Sequence, residues 1–80
     1  MSEHDTQPDV TVDSRGATCP GPLMDLIGRI KQADEGTVFE LQTSDSSSSN
    51  DVPEWVEKAG HDLLSIEEHD DYWSIFVRTT

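Results

Sequence analysis

The stretch VTVDSRGATCPGPLMDLIGRI, residues 10–30, decides the fold, because its hydrophobic period changes partway along. Val10 and Val12 flank Thr11, the alternation of a strand with one buried face. Asp13-Ser14-Arg15-Gly16 follows with turn chemistry, and Gly16 is free to take a positive φ. From Cys19 the spacing is helical: Leu23, Ile27 and Ile30 recur on one face, widened by Met24, Leu26 and Ala33. Pro20 and Pro22 suit a first helical turn, where a missing N–H costs nothing. Lys31 falls in the last part of this predicted helix, and Gly36 supplies its stop.

Working outward, Thr37 to Gln42 predicts a second strand through Val38, Phe39 and Leu41. Strand, helix and strand make a βαβ unit with a right-handed crossover. Ser46 to Ser49 reads as a solvated loop. Asn50 or Asp51 then caps a second helix, with Pro53 in its first turn and Gly60 at its end. Its apolar face is Val52, Trp55, Val56 and Ala59. Leu63–Glu67 and Tyr72–Arg78 predict two more strands joined around Asp70-Asp71. Both faces of the last strand carry large apolar residues, as in a central strand or one with a partly exposed second face. The pattern β-α-β-α-β-β predicts an α+β fold, a two-layer sandwich with both helices on one face of a four-stranded mixed sheet. Residues 1–9 read as a disordered tail and residues 10–80 as a single domain.

Composition narrows the partners. Seventeen acidic residues face five Lys and Arg, for a net charge of -12. Such a surface repels phosphate backbones and anionic lipid, which argues against nucleic-acid or membrane binding. An acidic docking face and a halophilic cytoplasm both explain it. The even spread of the acids along the chain favours salt adaptation. In that case charge steering is nearly silenced, since the Debye length at 1 M salt is about 3 Å. Recognition then rests on apolar contact around Cys19, Pro20 and Pro22. No apolar run approaches the ~18 residues of a membrane span. A cytoplasmic monomer is expected.

The chain has one cysteine, so anything loaded on Cys19 must leave to another molecule. The thiolate is the reactive form, and a helix N-terminus, with its unpaired N–H groups and partial positive charge, favours an anion. A buried structural cysteine is the plain alternative, but a core residue gains little just before two prolines at a helix start.

The run Val12 to Met24 closely resembles the signature of the TusA/SirA-like sulfurtransferases, a Cys-Pro-x-Pro motif after an Asp-x-x-Gly turn. Asp51-Val52-Pro53 opening a helix and Gly60-His61-Asp62-Leu63-Leu64 leaving it match further, so the resemblance covers roughly Val10 to Arg78. It implies a persulfide relay. Cys19 would accept sulfane sulfur from a cysteine desulfurase or rhodanese-like donor and pass it to an acceptor protein. Destinations would be tRNA thiolation, molybdenum-cofactor assembly or related sulfur metabolism. By the same resemblance Pro20 and Pro22 are structural members of the motif, and Asp13, Arg15 and Gly16 its supporting turn. Gly21 and Thr18 stand where the family often has charged residues, which removes side chains that would meet a partner.

Other residues carry less. His61 lies just past a helix end and reads as a cap; His69 in its acidic turn and His4 in the tail read as solvated. One cysteine with scattered histidines is no metal cluster, and no glycine pattern cradles a phosphate or cofactor. Trp55 and Trp73 read as core. A non-catalytic regulatory or interaction module and a thiol redox sensor remain as alternatives to the sulfurtransferase.

Overall fold

A computed structural model describes residues 8–18 and 21–80. The elements are β1 (Val10–Asp13), α1 (Gly21–Ile30), β2 (Val38–Thr43), α2 (Ser46–Ala59), β3 (Asp62–Glu68) and β4 (Trp73–Arg78). The strands form one sheet in the order β1-β2-β4-β3, with β1 parallel to β2 and the other neighbours antiparallel. This is the two-layer β-α-β-α-β-β sandwich expected from the sequence.

The alternation read in the strands sets one sheet face against the helices. Val12 registers with Leu41, Leu41 with Ile75, and Phe39 with Val77. These residues form one core with Leu26 and Ile30 of α1 and Val52 and Val56 of α2. Ser74 and Phe76 alternate with Ile75 and Val77 along β4 and are buried too, as befits a strand between two neighbours. Thr79 ties the chain's end to the α1–β2 loop, accepting the Gly36 N–H on its carbonyl and donating its hydroxyl to the Asp34 carbonyl.

Several boundaries differ from the sequence reading, each for a local reason. α1 begins at Gly21, two residues after Cys19, and closes at Ile30, so Lys31 falls in the following turn. The predicted tail ended at Asp9, yet Asp9 already pairs with β2: its N–H donates to the Val38 carbonyl and its carboxylate accepts the Val38 N–H. Residues Met1–Gln7 of that tail lie outside the described residues.

The serine run is the largest correction. Ser46 to Ser49 form the first turn of α2, not a solvated loop. Asp45, extended at φ -93 and ψ 120, caps the helix in place of Asn50 or Asp51. Its Oδ2 accepts from both the N–H and the hydroxyl of Ser48, each at 2.9 Å. With that acceptor Ser48 is buried at 0% exposure, since a hydrogen-bonded hydroxyl can leave water at little cost. Pro53 consequently lies inside the helix. At the other end Gly60 takes φ 84, and the N–H groups of Gly60 and His61 close onto the carbonyls of Glu57 and Val56, a Schellman-type ending that needs glycine.

Candidate functional site

β1 and β2 run toward the end of the sheet from which α1 starts; β3 ends there and β4 begins there. Three connections meet at that end: the β1–α1 loop, the β2–α2 junction and the β3–β4 turn. The predicted site residues belong to the first. Cys19 and Pro20 lie outside the described residues, so the site is built from what holds the chain on either side of them.

On the N-terminal side the loop is tied at successive residues. Ser14, 3% exposed, donates its hydroxyl to Asp25 Oδ2 of α1 at 2.8 Å and its N–H to the Gln42 carbonyl of β2. The Asp13 carboxylate takes a two-pronged bond from Arg15, Nε to Oδ1 and Nη2 to Oδ2 at 3.0 Å each, plus the Arg15 N–H at 3.1 Å. These bonds, side chain before backbone, hold the Asp13 carboxyl below its usual 3.8, and the Asp13 carboxylate raises Arg15 in turn. The pair is exposed, so it orients the turn more than it stabilises the fold. Gly16 turns the chain at φ +89, and its N–H donates to Ser44 Oγ at the β2–α2 junction, at 2.9 Å. Ala17 N–H returns to the Ser14 carbonyl.

On the C-terminal side, the Gly21 N–H donates to the Thr18 carbonyl at 2.8 Å. Pro22 is buried. It cannot offer a partner the apolar contact expected of it, because α1 needs that position to seat its first turn. Met24 takes over the exposed role: at 58% it is, with Ile66, one of two large hydrophobics on the described surface. No acidic residue lies in the first turn of α1, so no carboxylate there competes for the N-terminal partial charge.

The sequence reading missed Ser14 and Asp25 as a tie, Ser44 as the anchor of Gly16, and the contact of the β3–β4 turn with the β1–α1 loop. The turn residue His69 is not simply solvated. The ring stacks on Tyr72 with centroids 4.4 Å apart, and Nε2 lies 3.0 Å from Ser74 Oγ. The Arg15 guanidinium carbon lies 5.2 Å from the centre of the Tyr72 ring. Nothing local in the sequence signals these contacts, which join residues 15 and 72 across the sheet. His61 lies at the opposite end, accepting the Thr80 N–H on Nδ1 at 3.3 Å. Trp55 packs against the core partly buried.

Comparison with known proteins agrees with the fold. Residues 10–79 match the family model described as Sulfurtransferase TusA. A protein of Archaeoglobus fulgidus whose name includes the words sulfur carrier protein is 52% identical over 69 residues, spanning 86% of this chain and 94% of that one. The sulfur carrier protein TusA of Pseudomonas entomophila is 30% identical over 70 residues, 88% of each chain. The crystal structure of a SirA-like protein from Desulfitobacterium hafniense superposes with a TM-score of 0.77 at 17% identity, covering 86% of this chain and 95% of the other.

Proposed function

We propose that this chain, which belongs to the TusA sulfurtransferase family, is a sulfur carrier that holds one sulfane sulfur as a persulfide on Cys19. The observation that carries the reading is positional. The chain's one cysteine stands two residues before α1, in a loop tied to β2, α1 and the β2–α2 junction on one side and bonded across Thr18 and Gly21 on the other. Sulfur chemistry by hand-off needs a thiol on a connection that is tied on both sides, with no second thiol in the chain to resolve it internally.

In the loading step the Cys19 thiolate attacks the outer sulfur of a donor protein's persulfide. A new S–S bond forms on Cys19, the donor's S–S bond breaks, and the donor cysteine leaves as a thiolate. In unloading, an acceptor nucleophile attacks the outer sulfur and Cys19 departs as the thiolate. Electrons balance within each exchange, and no cofactor or metal is required. A cysteine desulfurase or rhodanese-like protein suits the first step, and a downstream protein of tRNA thiolation, molybdenum-cofactor assembly or related sulfur metabolism suits the second. A reducing cytoplasm would keep the single thiol available. Exposed Met24, one turn into α1, supplies the apolar contact for either partner.

The test is an intact mass after incubation with a cysteine desulfurase and cysteine. Wild-type protein should gain one sulfur atom that a reductant removes, and Cys19→Ser should gain none. Absence of the gain, or its survival in Cys19→Ser, refutes the proposal.

A further inference from the structure

Positive charge is scarce where sulfur would be handled. Of the chain's five Lys and Arg residues, Arg29 and Lys31 lie at the C-terminal end of α1, Lys58 lies in the last turn of α2, and Arg78 ends β4. The strand directions put all four at the far end of the sheet from the β1–α1 loop. Arg15 alone lies at the near end. At the same end lie Asp13, Asp25 and Asp45, with Glu67 and Glu68 at the end of β3 and Asp70 and Asp71 in the turn beyond. The connection that carries Cys19 in the sequence thus has one Lys or Arg at its end of the sheet, in an acidic field.

That side chain is held on two sides. Asp13 engages its edge through Nε and Nη2, both at 3.0 Å. The Arg15 Cζ lies over the Tyr72 ring, 5.2 Å from the centroid. Nη1 has no protein partner among the described residues, leaving a donor for an incoming anion. Tyr72 is backed in turn by His69, stacked at 4.4 Å. His69 is itself fixed to the sheet by a proton chain with one direction. The Ser74 hydroxyl gives its single proton to Glu40 Oε2 at 2.8 Å, so across the 3.0 Å contact with His69 Nε2 it must accept. His69 therefore carries its proton on Nε2. Ser74 is 1% exposed, and Glu40 Oε2 also accepts from Gln42 at 3.1 Å. The stack thus runs from the sheet's helix-free face through His69 and Tyr72 to Arg15 on the Cys19 loop.

We infer that Tyr72 is a positioning residue for the sulfur-handling end of the molecule: with His69 behind it, it holds Arg15 as the one Lys or Arg charge beside the Cys19 loop. The purpose given to this charge, favouring an anionic sulfur and anionic reactants, rests on the sulfur-carrier reading. Its test reads charge at the thiol rather than sulfur loading, so the two fail separately.

The test compares alkylation of Cys19 by iodoacetate, an anion, and iodoacetamide, which is neutral. Both reagents consume the thiolate, so their rate ratio cancels the thiolate population and reports the local charge. A cation on an exposed aromatic face shifts an equilibrium by a factor of about 2 to 5. At low salt the iodoacetate-to-iodoacetamide ratio should fall by about that factor in Tyr72→Leu, and at least as far in Arg15→Gln. Tyr72→Phe, which keeps the ring, should match wild type, and the double variant Arg15→Gln/Tyr72→Leu should match Arg15→Gln. In 1 M KCl, where the Debye length is about 3 Å, the differences should close. His69→Ala should give a smaller fall and decides the matter if Tyr72→Leu does not fold. A wild-type ratio in Tyr72→Leu, in His69→Ala or in Arg15→Gln overturns the inference, because a merely structural role lowers the melting temperature without separating the two reagents.

Discussion

Replacing Asp45 by Ala removes one carboxylate and with it two bonds to Ser48, from the N–H and from the hydroxyl, each 2.9 Å. Loss of the helix cap costs about 1 kcal/mol. The hydroxyl adds more, because Ser48 is buried at 0% exposure and is left without its acceptor, about 1–2 kcal/mol. The sum is about 2–3 kcal/mol, which in a domain this small lowers the melting temperature by about 10–20 °C. Thermal unfolding followed by circular dichroism measures it. Asp45→Asn, which keeps an acceptor oxygen, should restore most of the loss. Ser48→Ala added to Asp45→Ala should recover about 1 kcal/mol, since the unpaired hydroxyl goes with the side chain. Hydrogen exchange locates the effect. Pro53 lacks the N–H that would bond the preceding turn, so amides from Ser48 to Val52 should lose protection before those after Pro53. The consequence reaches the site, because Ser44 beside the cap holds Gly16. A fall of less than about 4 °C in Asp45→Ala, or a double variant whose losses simply add, would refute the reasoning.

Four further outcomes follow from the same contacts. The Asp13 carboxyl, held low by Arg15, adds stability that is complete above the unfolded value and disappears as pH falls through the lower folded one. Carbon-13 NMR should show it titrating below 3.8 in wild type and moving up in Arg15→Gln; an unmoved titration would count against the fork. Leu26→Ala, at a 0% exposed position, should cost about 2–5 kcal/mol, read as a urea midpoint shifted down at unchanged slope. Gly60→Ala meets no atom within 4 Å, so its cost comes from φ +84 alone and should be about 1 kcal/mol. Met24→Asp, at a position 58% exposed, should leave the melting temperature within a few degrees while slowing sulfur transfer from a partner. Equal transfer rates would remove Met24 from the docking surface.

The one-residue-in-two alternation of β2 and β4 and the helical spacing of Leu23, Leu26, Ile27 and Ile30 announce which faces are buried. Those periods are local, and burial mostly follows them: Phe39, Leu41, Ile75 and Val77 lie in the core with Leu26, whereas Met24, read onto the same stripe of α1, is 58% exposed at its edge. Where composition stood in for geometry the reading failed. Four serines in a row look solvated, and only the carboxylate of Asp45 makes burial of Ser48 affordable.

Cys19, on which the proposed function turns, is legible in the sequence alone. A cysteine, two prolines and an Asp-x-x-Gly turn lie within ten residues, and such chemistry is written in adjacent positions. Local pattern suffices for the element order, most of the buried faces and the candidate cysteine, because each depends on neighbours a few positions away. The ties of the loop that carries it come from the tertiary structure alone. Ser44 reaches Gly16 across 28 positions, and Tyr72 of the β3–β4 hairpin lies against Arg15. Four of the five Lys and Arg residues turn away because α1, α2 and β4 all end at the other side of the sheet. Contacts of this kind depend on strand direction and register, which bring together side chains that no local pattern relates.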